Sequence, residues 1–481
     1  MSETGLARTF LAASALLAFA AGGCLTPGQE AKLGESEAQK VEQTMGLVRD
    51  AKLEGYVRAI GEKLAAASER PEAPWHFMIA DAPEPNAFAL PGGYVYVTRG
   101  LLALVNSEDE IAGVIGHEIG HVTARHSAKR IGAAVVAAPV SIATGLAGLA
   151  VSIVSPFLGS VVAATGPVVT GGLVIAPFSR EQEHAADQIG QRLAARAGYD
   201  PAGIATFLHT LDRSVSLSSD GERSFNFLDS HPMTPDRIEN TTARAAKLER
   251  APARPVARNH SDFLRRLEDL IVGPDPAQGV FEGQTFLHPE LDIAIEFPSA
   301  WKTVNTAASV GAISPGGDAV VALRLAARGS SVDETVRQIE QEQANVAFER
   351  FEIRGLPAAR TRLAARGQSA SITLIGYLGN VFAVVGQSAE RTAGPYAQTF
   401  DATASSFRAL RTSERGAIRE VRLRVREARA GETPGAIAKR TESTWSAEAL
   451  AVANAVEVDA SFRSGQEIKV ALPQAYTPRS H

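Results

Sequence analysis

Two histidines four residues apart, with a glutamate between them, carry the clearest chemistry in this chain: Gly116-His117-Glu118-Ile119-Gly120-His121. On a helix of 3.6 residues per turn, His117 and His121 stand one above the other on a single face. Both imidazoles can then reach one Zn²⁺ ion. Glu118 lies beside them, placed to take a proton from a water held by that ion. A catalytic zinc keeps three protein ligands and one open position. The best third ligand is Glu183, in Ser179-Arg180-Glu181-Gln182-Glu183-His184-Ala185-Ala186-Asp187. Glu183 and Asp187 share a helix face, so Glu183 can bind the ion while Asp187 accepts the second ring proton of a ligand histidine. Glu181 is the nearest competitor for the ligand role. His126, His184 and His209 carry no expected role. His126 comes five residues after His121, which rotates it to another face, and the other two have no partner in any motif.

The elements that must hold these groups are also readable. Ser107-Glu108-Asp109-Glu110 predicts a capping box at the start of the metal helix. Ile111, Val114, Ile115, Ile119 and Val122 then form its buried stripe.

His117-Glu118-x-x-His121 with Glu183-x-x-x-Asp187 resembles the gluzincin metallopeptidases, a family that includes the CAAX prenyl protease, HtpX-like heat-shock proteases and periplasmic BepA-like proteins. Asn86-Ala87-Phe88-Ala89-Leu90-Pro91-Gly92-Gly93-Tyr94-Val95-Tyr96-Val97 looks like the family's sheet edge before the metal helix. Ser230-His231-Pro232, followed by Arg237-Ile238, looks like its downstream histidine motif. The resemblance covers roughly residues 40–250, with four motifs in the right order. It implies one zinc ion, peptide-bond hydrolysis, and substrate held as an added strand along an edge at Asn86, Ala87, Phe88, Ala89 and Leu90. Main-chain bonds at such an edge give affinity without sequence preference. The resemblance also places His231 near the ion, where it stabilises an oxyanion or approaches the open position.

The first residues bear on location. Arg8, the apolar run Phe10 to Ala21, and Ala21-Gly22-Gly23-Cys24 read as a lipoprotein signal peptide over 1–23. Cys24 is the only cysteine, so lipidation explains it better than a disulfide does. Leu25 rather than aspartate follows it, which points to the periplasmic side of an outer membrane. Residues 131–179 contain no charge, and prolines at 139, 156, 167 and 177 leave a longest proline-free run of sixteen residues, 140–155. That is short of the ~20 needed to cross a bilayer. The segment predicts two short packed helices beside the cleft, against the alternative of two membrane helices. A net charge of −5 with 21% charged residues gives no footprint for nucleic acid.

The expected fold class is multidomain α+β. A tether at 24–40 leads to a mostly helical zinc-metallopeptidase domain with a small sheet at 41–250. A Pro- and Arg-containing linker follows at 251–274. Period-two runs at Leu291, Ile293, Ile295, Phe297 and at Val321, Leu323, Leu325 predict strands of an α+β accessory domain at 275–412. Ser331-x-x-Glu334 caps a helix to about 345, and a turn falls at Gly379-Asn380. Phe297-Pro298-Ser299-Ala300-Trp301 and Ser405-Ser406-Phe407 resemble the PsbP-like fold. From 413 to 475, Gly431-Glu432-Thr433, Asn454 and Gly465-Gln466-Glu467-Ile468-Lys469-Val470 look like LysM, a small βααβ module that binds peptidoglycan-type glycans.

The expected protein is a lipid-anchored envelope endopeptidase whose partners are misfolded or unassembled envelope proteins. A chaperone for outer-membrane proteins and a wall-binding scaffold with a latent protease stay open beside it. Cys24→Ser should move the protein from membranes to the soluble envelope fraction. If the variant instead stays in membranes through salt and carbonate washes, residues 131–179 are the anchor.

Overall fold

A computed structural model of the chain describes residues 26–126, 177–217, 227–234, 236–307, 309–343, 346–365 and 367–478. The signal peptide, Cys24 and the chargeless stretch up to residue 176 lie outside the described residues. Among those described, no helix is long and apolar enough to cross a membrane.

The chain opens with helix α1 (Pro27–Thr44), capped by a reciprocal Thr26–Gln29 pair with Pro27 in its first turn. Residues 24–40 were expected as a tether. Of these, residues 27–40 instead form most of this helix, because Ala38, Val41 and Met45 find an apolar surface in Phe88, Leu90 and Tyr96. Helix α2 (Ala51–Ala66) follows, then strands β1 (His76–Ala80), β2 (Ala87–Leu90) and β3 (Tyr94–Thr98) in the order β1-β3-β2. β1 runs parallel to β3 and β2 antiparallel to it, which leaves β2 at the sheet edge. Alternation along the strands divides their side chains. Phe88, Leu90 and Tyr96 face α1, whereas Ala87, Val95 and Val97 face the main core.

That core surrounds helix α4 (Glu108–Thr123), reached through the short α3 (Arg99–Leu104). Every residue of α4 from Glu110 to Val122 is buried. Ile111, Ile115 and Ile119 are wholly buried, each contributing about 1.5–3 kcal/mol of apolar burial. The expected capping box forms by half. Ser107 Oγ accepts the Glu110 N–H, but the Glu110 carboxylate takes the amide of Asn106 rather than that of Ser107.

Helix α5 (Arg180–Ala197) lies against α4 at backbone distance. A Cβ added at Gly120 would sit 2.8 Å from the Ala186 carbonyl, and one at Gly190 would sit 2.6 Å from His117 N. Gly116 and Gly120 therefore face Ala186 and Gly190, and the absence of side chains lets the two helices close. Helix α6 (Gly203–Ser216) packs on α4, and after α7 (Phe227–Ser230) helix α8 (Arg237–Ala245) packs on α5 and α6.

The region expected as a linker at 251–274 is built into this unit. Its backbone amides at Val256 and Ala257 both donate to Glu108, as does Tyr56 Oη. Helix α9 (His260–Leu267) buries Phe263, Leu264 and Leu267 in the same core.

Beyond it lies a seven-stranded antiparallel sheet between Lys302 and Ala389. Helix Ala393–Ser406 covers one face through Phe400 and Ala404, and helix Val332–Glu342 covers part of the other through Val336 and Ile339. The hairpin turn is Leu378-Gly379, both at positive φ, one residue earlier than the pattern indicated. The last unit pairs strands Arg419–Glu427 and Glu467–Ala475 antiparallel around helices Pro434–Thr441 and Ala447–Ala453. Asn454 caps the C-terminus of the second helix and bonds both backbone groups of Lys469. This unit is docked on the first. Lys469 Nζ, fully buried, donates to the carbonyls of Ala103, Leu104 and Val105 and so closes the C-terminal end of α3. Burial pushes its ammonium down to about 7, against the pull of Glu110.

The close helix contact gives a test. Gly120→Ala should destabilise the protein by about 1–3 kcal/mol through overpacking. Gly55→Ala, on a helix position with open space around it, should be neutral or stabilising by up to ~1 kcal/mol. Equal effects in urea unfolding would show that the approach of α4 and α5 is not tightly packed.

Candidate metal centre

The approach of α4 and α5 brings four side chains to one point. His117 and His121 come from α4, Glu183 from the first turn of α5, and His231 from the end of α7. One ligand atom from each lies within 4.8 Å of all the others, and all four residues are buried. The His117 and His121 Nε2 atoms are 3.0 Å apart, and His231 Nδ1 is 3.1 Å from His117 Nε2. Glu183 Oε1 is 3.0 Å from His231 Nδ1 and 3.3 Å from His121 Nε2. Four ligands at 2.0–2.1 Å around a tetrahedral zinc would stand about 3.3–3.4 Å from one another. The cluster is close to that size.

Two of the other ring nitrogens are already committed. His117 Nδ1 is 2.8 Å from Asp187 Oδ1, and His121 Nδ1 is 3.1 Å from His126 Nδ1. With those protons used outward, the inward nitrogens present lone pairs. The lone pairs of His117 and His121, His231 Nδ1 and a carboxylate facing one another call for a cation between them, since protons satisfy only some of the pairs. Charge leads the same way. Among the described residues, Glu118, Glu183 and Asp187 are buried together against one guanidinium, that of Arg237. Three carboxylates against one cation leave two negative charges, the amount a divalent ion neutralises. The residues present fit zinc.

Arg237 joins the parts. Its Nε and Nη2 donate to the two oxygens of Asp187 at 2.9 Å each, and its Nη1 lies 2.8 Å from Glu183 Oε2. Nη1 also donates to the His231 carbonyl at 3.3 Å. Burial raises the Glu183 carboxyl, but the histidines His231, His117 and His121 outweigh it and hold it well below the usual range. For Asp187 burial is again the largest influence, and Arg237 and His117 reverse it. Glu118 differs. Burial raises its carboxyl above the ordinary value, opposed by His231 and His117. A carboxylate with raised proton affinity, 3.4 Å from His231 Nε2 and outside the four-ligand cluster, suits a general base.

All the expected site residues of 117–231 thus converge, with Asp187 behind His117 and Glu181 exposed to solvent. Ala87 to Leu90 form the edge strand β2. Asn86 is buried beside it, and its side-chain oxygen has no hydrogen-bond partner among the described residues. The expectation for His126 is overturned. Helix α4 stops at Thr123, and Arg125 at φ 57° turns the chain so that His126 swings back to His121. Ideal helical spacing could not show this. His184 and His209 lie away from the cluster, as expected. Two aromatic walls carried no sequence signal: Phe227 stacks on His231 at 4.2 Å and Phe178 on His121 at 3.9 Å. Arg237 belonged to a recognised motif, but its bonds to both acids were not anticipated.

Comparison with known proteins agrees with this geometry. Residues 51–245 match the model of Peptidase family M48. The beta-barrel assembly-enhancing protease of Escherichia coli (strain K12) is 30% identical over 228 residues, 47% of this chain and 46% of that protein. The mitochondrial metalloendopeptidase OMA1 of Schizosaccharomyces pombe is 32% identical over 186 residues, 38% of this chain and 50% of that protein. The chain spans about half the length of the curated relatives it matches. A solved cyanobacterial PsbP from Synechocystis, at 12% identity and a TM-score of 0.22, covers 28% of this chain and 98% of its own, too slight a likeness to bear on the fold. The HExxH helix, the carboxylates of α5 and the histidine after α7, gathered in one buried cluster, all lie within the stretch of this chain, residues 51–245, that matches peptidase family M48.

Proposed function

We propose that this protein is a zinc-dependent endopeptidase of the cell envelope, lipid-anchored through Cys24 on the periplasmic face of the outer membrane, that cleaves misfolded or unassembled envelope proteins. The observation that carries the catalytic part is the convergence of His117, His121 and Glu183 with Glu118 beside them. The envelope setting draws support from the likeness to a protease named for beta-barrel assembly. The unit at 413–475 is a candidate for peptidoglycan contact, which sedimentation of the full chain with insoluble peptidoglycan would reveal or refute.

Zinc, when bound, supplies a Lewis acid that polarises a carbonyl and acidifies water. The chain's own residues do the rest. Glu118 accepts a proton from the attacking water and returns it to the leaving amine. Asp187 holds the His117 ring, and Arg237 holds Asp187 and Glu183. The edge of β2 keeps an unfolded segment extended by main-chain pairing, which suits substrates defined by lack of structure rather than by sequence.

His231 sets the resting state. Its Nδ1 sits among the ligand atoms, where an open position is required for catalysis. With an ion held by His117, His121 and Glu183, the His231 imidazole would fill that position, and its ring would have to move before substrate binds. The competing role is oxyanion stabilisation once the site has opened.

Glu118→Gln keeps all ligands, so the variant should bind about one equivalent of zinc while hydrolysis of an unfolded protein falls by about 10³-fold. His117→Ala and Glu183→Ala should lose the metal as well. Full zinc and activity in Glu183→Ala, with loss in Glu181→Ala, would transfer the ligand role to Glu181. His231→Ala, assayed on zinc-quantified protein, should raise cleavage of an unfolded substrate several-fold if the latch dominates. A fall in kcat equivalent to about 2–4 kcal/mol, with zinc retained, would assign His231 to the transition state instead.

A further inference from the structure

Helix α4 ends at Thr123, two residues beyond His121. The chain then passes through Ala124 and through Arg125, whose φ of 57° lies in the left-handed region. An arginine rarely adopts that conformation unless its surroundings hold it. Here the Arg125 Nε is 3.2 Å from the carboxylate of Glu30, a buried residue of α1. The turn carries the next residue, His126, back under the helix end, where it is 5% exposed. Its Nδ1 stops 3.1 Å from Nδ1 of His121, with the two rings nearly perpendicular at 72°.

The direction of this bond follows from His121. Its Nε2 faces His117 Nε2 at 3.0 Å and Glu183 Oε1 at 3.3 Å, so Nε2 is the nitrogen turned to the cluster. An imidazole that gives Nε2 to a metal carries its proton on Nδ1. His126 must then accept, with a bare Nδ1 and its own proton on Nε2. The reverse direction would put a proton on His121 Nε2, aimed at the ion. His117 has the same kind of support from Asp187, 2.8 Å from its Nδ1.

We infer that His126 is a positioning residue for the metal centre: its Nδ1 accepts the His121 Nδ1–H and fixes the tautomer and ring plane in which His121 meets the ion. The two histidines of α4 are thus oriented differently, one by a charged carboxylate and one by a neutral imidazole delivered by the Arg125 turn. This inference rests on the reading of His121 as a metal ligand.

Zinc affinity of the full-length protein, measured against a competing chelator, tests it. Thermal unfolding in chelator serves as the control for folding. His126→Phe keeps a ring of similar shape without an acceptor. It should weaken zinc binding about 10–100-fold with the unfolding temperature of the metal-free protein unchanged. His126→Asn can offer Oδ1 in place of Nδ1 and should remain within about threefold of the parent. Parent-like affinity in His126→Phe, or equal weakening in both variants, overturns the inference. Should His126→Phe not fold, ¹⁵N spectra of the zinc-loaded parent decide. A bare His126 Nδ1 with a protonated Nε2 is expected, and a protonated Nδ1 overturns it. A parent protein that takes up no zinc fails at the earlier step and removes the metal-centre reading itself.

Discussion

Everything near the centre of this protein is arranged around an electrostatic deficit. Three imidazole nitrogens and one carboxylate oxygen face one another, four of their separations being 3.0–3.3 Å, and two further carboxylates are buried around them with, among the described residues, Arg237 in opposition. Such a group of buried acceptors is costly unless a cation fills it. Metal binding and the local fold are therefore one problem here. An ion bound there would supply the site's chemistry and also neutralise the charge that otherwise drives α4, α5 and α7 apart.

The scaffold meets this requirement by fixing the ligand bearers from several directions. Gly116 and Gly120 against Ala186 and Gly190 set the spacing of α4 and α5, which puts Glu183 and Asp187 within reach of the histidines. Arg237 ties α8 to both acids and to the His231 backbone. At the start of α4, Glu108 gathers the amides of Val256 and Ala257. Just ahead of it, Lys469 closes α3 from the far end of the chain. The C-terminal unit is consequently part of the support for the metal helix and not an appendage on a flexible joint.

Much of the site was legible in sequence because helical periodicity is local. HExxH and ExxxD each fix which residues share a face, and the stripe from Ile111 to Val122 follows the same rule. Residues whose roles depend on how the chain turns between helices were harder to read. His126 reaches His121 only because Arg125 leaves the helix in a left-handed turn. Phe178 and Phe227 become walls of the site only after tertiary packing. Composition misled at two places. Residues 24–40 look like a polar tether, yet a sparse apolar stripe is enough for α1 once the β2–β3 face is there to receive it. Prolines and charges between 251 and 258 read as a free linker, although its amides had a buried acceptor waiting in Glu108. In the accessory sheet, alternation at Val321, Leu323 and Leu325 marks the strand Ala319–Arg328, since the two faces of that sheet meet different helices.

X-ray absorption at the zinc edge, on the full-length protein with its metal content counted, tests the central claim most directly. One zinc per chain should appear, with only nitrogen and oxygen ligands at about 2.0–2.1 Å and the multiple scattering of three imidazoles, those of His117, His121 and His231. A protein that remains without metal after zinc loading, or a zinc held elsewhere by a shell containing sulfur, would contradict it.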